Sequence, residues 1–223
     1  MKLLCVSDEI DPQIYSSSIK ERFSDVDLIL SAGDVPLDYL EFISSSLNRP
    51  LLFVFGNHCL GDYAAYQSAG AQSLALNITS YFESEPIAPS MYAGGKVVKE
   101  SGLLIAGLGG SMRYSRGANQ WTNTAMRLRI FKLIPRLVYN KICYGRCLDI
   151  LLTHAPPEGI HDKDDPCHRG FKDFLWFMRI FKPRYLIHGH IHVYDADTVR
   201  RTDYFGTTVI NVYNHQIVEI QDR

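Results

Sequence analysis

The side chains of this chain that could do the most chemistry follow short apolar runs. Leu3 to Val6 stops at Ser7-Asp8, and Asp27 to Leu30 stops at Ser31-Ala32-Gly33-Asp34. Leu51 to Phe55 stops at Gly56-Asn57-His58, Ile150 to Leu152 at Thr153-His154, and Tyr185 to Ile187 at His188-Gly189-His190, with His192 two residues further on. Neutral imidazoles, carboxylates and an amide oxygen form a donor set that suits Zn²⁺, Mn²⁺ or Fe better than Ca²⁺ or Mg²⁺ alone. Asn57 can offer a metal only its neutral amide oxygen.

Apolar runs of this length, rich in Val, Ile, Leu and Phe, predict strands buried on both faces of a layered α/β sheet. Leu103 to Leu108, ending at Gly109-Gly110-Ser111, is another. Helices are expected over 12–22, 36–47, 61–69, 122–142 and 170–181. The last carries Phe171, Phe174, Leu175, Met178 and Phe181 at helical spacing and stops before Pro183. The tail from Val193 to Ile220 reads as an antiparallel meander, with turns at Gly206 and Asn214. Together these predict two mixed sheets covered by helices, in one domain over 1–223. In open α/β sheets the carboxyl ends of the strands line one crevice, where ligands bind. The polar strand ends should therefore converge.

Asp8, Gly33-Asp34, Gly56-Asn57-His58, His154 and Gly189-His190-Ile191-His192 together resemble the calcineurin-like metallophosphoesterases, in that family's order and across nearly the whole chain. The resemblance implies a four-layer αββα sandwich of two mixed β-sheets and a pair of divalent transition-metal ions (Mn, Fe or Zn). By analogy Asp34 bridges both ions, Asn57, His154 and His190 hold one, and Asp8 and His192 hold the other. His58 then serves as proton donor or transition-state stabiliser. The activity implied is hydrolysis of a phosphodiester or phosphomonoester by metal-activated hydroxide, because two ions acidify a shared water and neutralise phosphoryl charge. His190 and His192 would share a side of an extended strand, so the turn must break that symmetry if they serve different ions.

The family's first motif is Asp-x-His, and here it reads Asp8-Glu9-Ile10. Ile10 cannot ligate, which predicts a weak or empty second site on Asp8 and His192, open to a harder ion such as Mn²⁺. Glu9 and Asp11 lie near but lack the matching spacing. The same departure supports an alternative in which the fold is a catalytically weakened scaffold for protein interaction. Arg113, on the loop 109–117, and His168, ahead of the 170–181 helix, are candidate substrate contacts.

Net charge is −1 over 223 residues, with 46% hydrophobic and 21% charged. That balance argues against a long nucleic-acid partner. It fits a small phosphate ester, such as a nucleotide, as substrate. Arg127, Arg129, Lys132, Arg136 and Lys141 on the 122–142 helix are expected to form a solvated face rather than a membrane contact. The cysteines Cys5, Cys59, Cys143, Cys147 and Cys167 show no disulfide rhythm, and no apolar run approaches a membrane span. A cytoplasmic protein with reduced thiols is expected.

Overall fold

The computed structural model describes residues 1–58, 61–64, 90–195 and 197–221. The amino-terminal half contributes β1 (Lys2–Ser7), α1 (Ile19–Phe23), β2 (Leu28–Ser31), α2 (Leu37–Leu47), β3 (Leu51–Phe53), β4 (Ser90–Tyr92), β5 (Val97–Glu100) and β6 (Leu103–Leu108). The remainder contributes β7 (Ser111–Met112), β8 (Gln120–Trp121), α3 (Asn123–Tyr144), β9 (Ile150–Thr153), α4 (Lys172–Phe181), β10 (Tyr185–His188), β11 (Arg201–Tyr204), β12 (Thr207–Asn211) and β13 (Asn214–Glu219).

The strands form a five-stranded sheet, β13-β1-β2-β3-β4, and a six-stranded sheet, β11-β12-β10-β9-β6-β5. β1, β2, β3 and β4 run parallel, as do β12, β10, β9 and β6, and the edge strands β13, β11 and β5 are antiparallel to their neighbours. Strand period two sorts the side chains into layers. Leu3, Cys5, Leu28 and Leu30 from one sheet meet Ile105, Ile150, Leu152, Ile187 and Ile210 from the other in a shared middle layer. Leu4, Val6, Ile29 and Phe53 turn outward onto α1 and α2, and Leu104, Ala106, Leu151, Leu186 and Val209 turn outward onto α3 and α4. The result is the four-layer αββα sandwich.

The long helices follow their end signals. Thr122 Oγ1 accepts the Ala125 N–H at the start of α3, and Gly145, at φ 71°, ends it with its N–H on the Lys141 carbonyl. The expected 12–22 helix is reduced to Ile19–Phe23, because the Asp11 side chain and carbonyl take the N–H groups of Gln13, Ile14 and Tyr15 in a turn. Residues 61–64 are helical, and the rest of the expected 61–69 helix lies outside the described residues. The tail is not a simple meander. β11 and β12 form a hairpin, but β12 runs parallel to β10 and β13 crosses to pair with β1 of the other sheet. Covering the open edge of β1 is what the alternation of the tail alone does not reveal. β4, β5, β7 and β8, of two to four residues, are too short to read from pattern.

Ile105 sits fully buried in the middle layer, whereas Leu128 on α3 faces solvent. Ile105→Ala should therefore lower unfolding stability by about 2–5 kcal/mol, and Leu128→Ala should change it by less than about 0.5 kcal/mol, in equilibrium urea denaturation.

Candidate metal centre

The parallel strands of both sheets end at one edge, and the contacts of His154 there join one sheet to the other. His154, after β9, is fully buried and places Nδ1 2.8 Å from the Ala32 carbonyl, beyond β2. A carbonyl only accepts, so Nδ1 carries the proton and Nε2 presents a lone pair. Nε2 lies 3.2 Å from Asn57 Oδ1, beyond β3, and 3.1 Å from Asp34 Oδ2. With His154 neutral, Asp34 Oδ2 is buried with no donor among the described residues, and three electron-rich atoms face one another. Either a proton or a cation must sit among them.

His190 completes this half. Its Nε2 donates to the Cys167 carbonyl at 2.7 Å, which leaves the Nδ1 lone pair free to ligate. Ligand atoms of Asp34, His154 and His190 all lie within 4.8 Å of one another. The His190 N–H meets both oxygens of Asp8, at 3.1 and 2.9 Å, and so ties β10 to β1. Asp8, Asp34 and His190 have φ of 67°, 55° and 68°, left-handed values at which Asp and His are tolerated better than most residues. At His190 this turn breaks the extended backbone that would set its side chain on the same side as that of His192. A Cβ on Gly56 would overlap Asp34 Oδ1, and one on Gly189 would overlap Ser7 Oγ and Asp8 Oδ2. Only glycine permits that approach.

His192 stands apart from the first half. Its Nε2 is 3.9 Å from Asp8 Oδ1, its ring stacks on Tyr213 at 4.8 Å, and its Nδ1 meets the Tyr194 hydroxyl at 2.9 Å. Ile10 is 46% exposed. Neither neighbouring acid replaces the missing histidine. Glu9 bonds the Tyr213 hydroxyl, whose pKa is raised by burial and then by that bond. Asp11 is spent on Gln13 and on a close hydrogen bond with His215, which lies in β13 rather than in a turn.

Of the other sequence candidates, His58 is exposed, with its backbone N–H on Asp34 Oδ1 at 2.8 Å. His168 is held by the Asp165 carboxylate at 2.8 Å, with its ring 5.5 Å from that of His190. Arg113 is not brought to the cluster. Its guanidinium donates to the Gln120 carbonyl of its own loop, and its neighbour Tyr114 instead meets Asn57 Nδ2 at 3.3 Å. Asn119 is a positioning residue absent from the sequence candidates. Its Nδ2 donates to the carbonyls of Phe55 and Gly56 and fixes the turn presenting Asn57. No spacing signal points to it, nor to the Cys167 carbonyl, since a backbone acceptor has no residue type. His188 is buried between the Gly189 carbonyl and His161 Nδ1, and His161 Nε2 meets Thr202.

Burial pushes the His154 pKa down, but the Asp34 charge and hydrogen bond outweigh it and raise it to about 9. Burial likewise opposes ionisation of Asp34, and His154 with the His58 N–H reverses this and holds the carboxyl below its usual range. Burial and then the His154 charge lower His190 to about 3. Metal-free protein thus holds a proton where the three acceptors converge. That proton stabilises the fold fully below pH 6.5 and is lost as pH rises through about 9, while the Asp34 contribution is already complete across this range. Metal-free protein should melt at lower temperature above pH 9 than at pH 6.5. Saturating Mn²⁺, or His154→Gln, should flatten that slope in calorimetric scans.

The profile described as calcineurin-like phosphoesterase matches residues 1–194. TT1561 of Thermus thermophilus superposes with a TM-score of 0.63 at 12% identity, over 96% of this chain and 89% of its own. A second crystal structure superposes at 0.60 and 12% identity, over 97% and 94%. A Vps29 single mutant from Entamoeba histolytica aligns over 100% of this chain and 87% of its own at 13% identity, with a TM-score of only 0.41. No curated protein matches the chain. At these identities the structural likeness is one of fold, and the profile carries the membership. The chain belongs to the calcineurin-like phosphoesterase family, whose members are in general metal-dependent phosphoester hydrolases.

Proposed function

We propose that this protein hydrolyses phosphate esters at an ion held by Asp34, Asn57, His154 and His190, with a second, weaker site on Asp8, the shared Asp34 and His192. The observation that supports this most is the convergence of His154 Nε2, Asn57 Oδ1 and Asp34 Oδ2 on a buried point with no donor of their own. The imidazole, carboxylate and amide set fits Mn, Fe or Zn. Such ions, when bound, acidify water and neutralise phosphoryl oxygens.

The chain's own groups supply the rest. The Ala32 and Cys167 carbonyls fix the tautomers of His154 and His190, so each ring aims one lone pair inward. The His58 N–H on Asp34 leaves the His58 ring at the rim, where a protonated imidazole can give its proton to the departing alkoxide. The His168–Asp165 pair beside His190 is placed to contact a phosphoryl oxygen. The substrate is a small phosphate ester, a nucleotide among the candidates. The free thiols of Cys5, Cys143, Cys147 and Cys167 suit the cytoplasm.

Hydrolysis of bis-p-nitrophenyl phosphate and p-nitrophenyl phosphate under Mn²⁺ tests this reading. His154→Ala and Asn57→Ala should lose the tight ion and at least about a hundredfold in kcat/KM, whereas His58→Asn should keep the ion and lose about 10²–10⁴ in kcat. A chain that binds no metal and turns over neither substrate would be an interaction scaffold instead. Ile10→His should raise occupancy of the second site in metal titrations. A native protein already holding two tight ions would show that Ile10 costs nothing.

A further inference from the structure

α3 carries two apolar stripes. One, through Met126, Ile130, Leu133 and Leu137, is buried on the sheet. At about 100° per residue, Leu128, Phe131, Pro135, Val138, Tyr139 and Ile142 form a second stripe roughly 100° wide on the opposite side. It is solvent-facing: Leu128 is 59% exposed, Phe131 46% and Ile142 79%. The Phe131 ring meets Trp176 of α4 at 6.1 Å, and Trp176 and Ile180 extend the apolar face onto that helix. Lys132, Arg136 and Arg129 border the stripe on one side, and Arg127 and Lys141 on the other. The sole acid of the two helices is Asp173, and it is buried and neutralised by Arg127 at 2.7 Å.

We propose that this face seats on an anionic lipid bilayer, with the stripe in the headgroup–acyl boundary and the flanking cations among the phosphates. The charge decides the occupant. Cations without an unpaired acid oppose docking a second copy of the same helix, and they complement a negative surface. The shape agrees, because the stripe from Leu128 to Ile142 runs about 22 Å along one helix face, as an interfacial helix presents, and carries Phe131 and Tyr139, with Trp176 of α4 beside it. The proposal departs from the expectation of a merely solvated face. Two stripes on one helix dilute each other in the sequence, and only the exposures separate them. The face is independent of the metal centre.

Flotation of the full chain with vesicles of equal parts phosphatidylglycerol and phosphatidylcholine tests it. Wild type should partition at least about tenfold more strongly into these than into phosphatidylcholine alone, and should be released as salt rises well above about 0.1 M. The double variant Phe131→Glu with Ile142→Glu, and separately Lys132→Glu with Arg136→Glu, should each weaken partition about tenfold or more. All four positions are exposed, so circular dichroism melting should match wild type. No partition into anionic vesicles, or equal partition of the variants, overturns the proposal. So does self-association in sedimentation that the Phe131 variant abolishes without any lipid binding. Retention of an acidic amphipathic peptide in the absence of vesicle binding also overturns it and gives the face to a protein partner.

Discussion

One hydrogen bond between the two sheets sets the rest of the site. His154 gives its Nδ1 proton to the Ala32 carbonyl, and from that follows the direction of its remaining lone pair, toward Asp34 and Asn57. With His154 neutral, Asp34 Oδ2 finds no donor among the described residues, and this electrostatic conflict is one that a proton on His154 Nε2 relieves and that a divalent cation would relieve in its place. His190, anchored at Nε2 by a backbone carbonyl, follows the same logic. The converging side chains come from different sheets, so the middle apolar layer that presses the sheets together also fixes their spacing.

Left-handed backbone at Asp8, Asp34 and His190 costs on the order of a kcal/mol or more at each. It persists because parallel pairing of the strands before these turns leaves the chain no freedom to relax. The two halves of the site are not equally supported. Around Asp34, Asn57 and His154 the partners are backbone groups and other side chains of the cluster. His192 leans on an aromatic group, Tyr213 and Tyr194, with Glu9 behind it. That arrangement orients the imidazole but adds no ligand where Ile10 stands.

The sequence displays much of this because ligand type and strand end coincide in it. Gly-Asn-His and Gly-His-x-His each follow an apolar run, and the sandwich and the converging residues follow from those runs. The long helices are legible from caps and periodicity. What stays hidden is of three physical kinds. Backbone groups such as the Cys167 carbonyl carry no residue signature. Arg113 is by type better suited to phosphate than Tyr114, yet the loop between β7 and β8 turns it back onto Gln120. The crossing of β13 to the edge of β1 depends on which sheet has an open edge, which periodicity in the tail does not encode.

The most direct measurement is a crystal structure of the protein soaked in Mn²⁺, with anomalous scattering used to place the ion. The account predicts its strongest peak among Asp34 Oδ2, Asn57 Oδ1, His154 Nε2 and His190 Nδ1, at roughly 2.0–2.3 Å from each, and a weaker peak beside Asp8 and His192. A strong peak only beside Asp8 and His192, or none at this edge of the sheets, would contradict it.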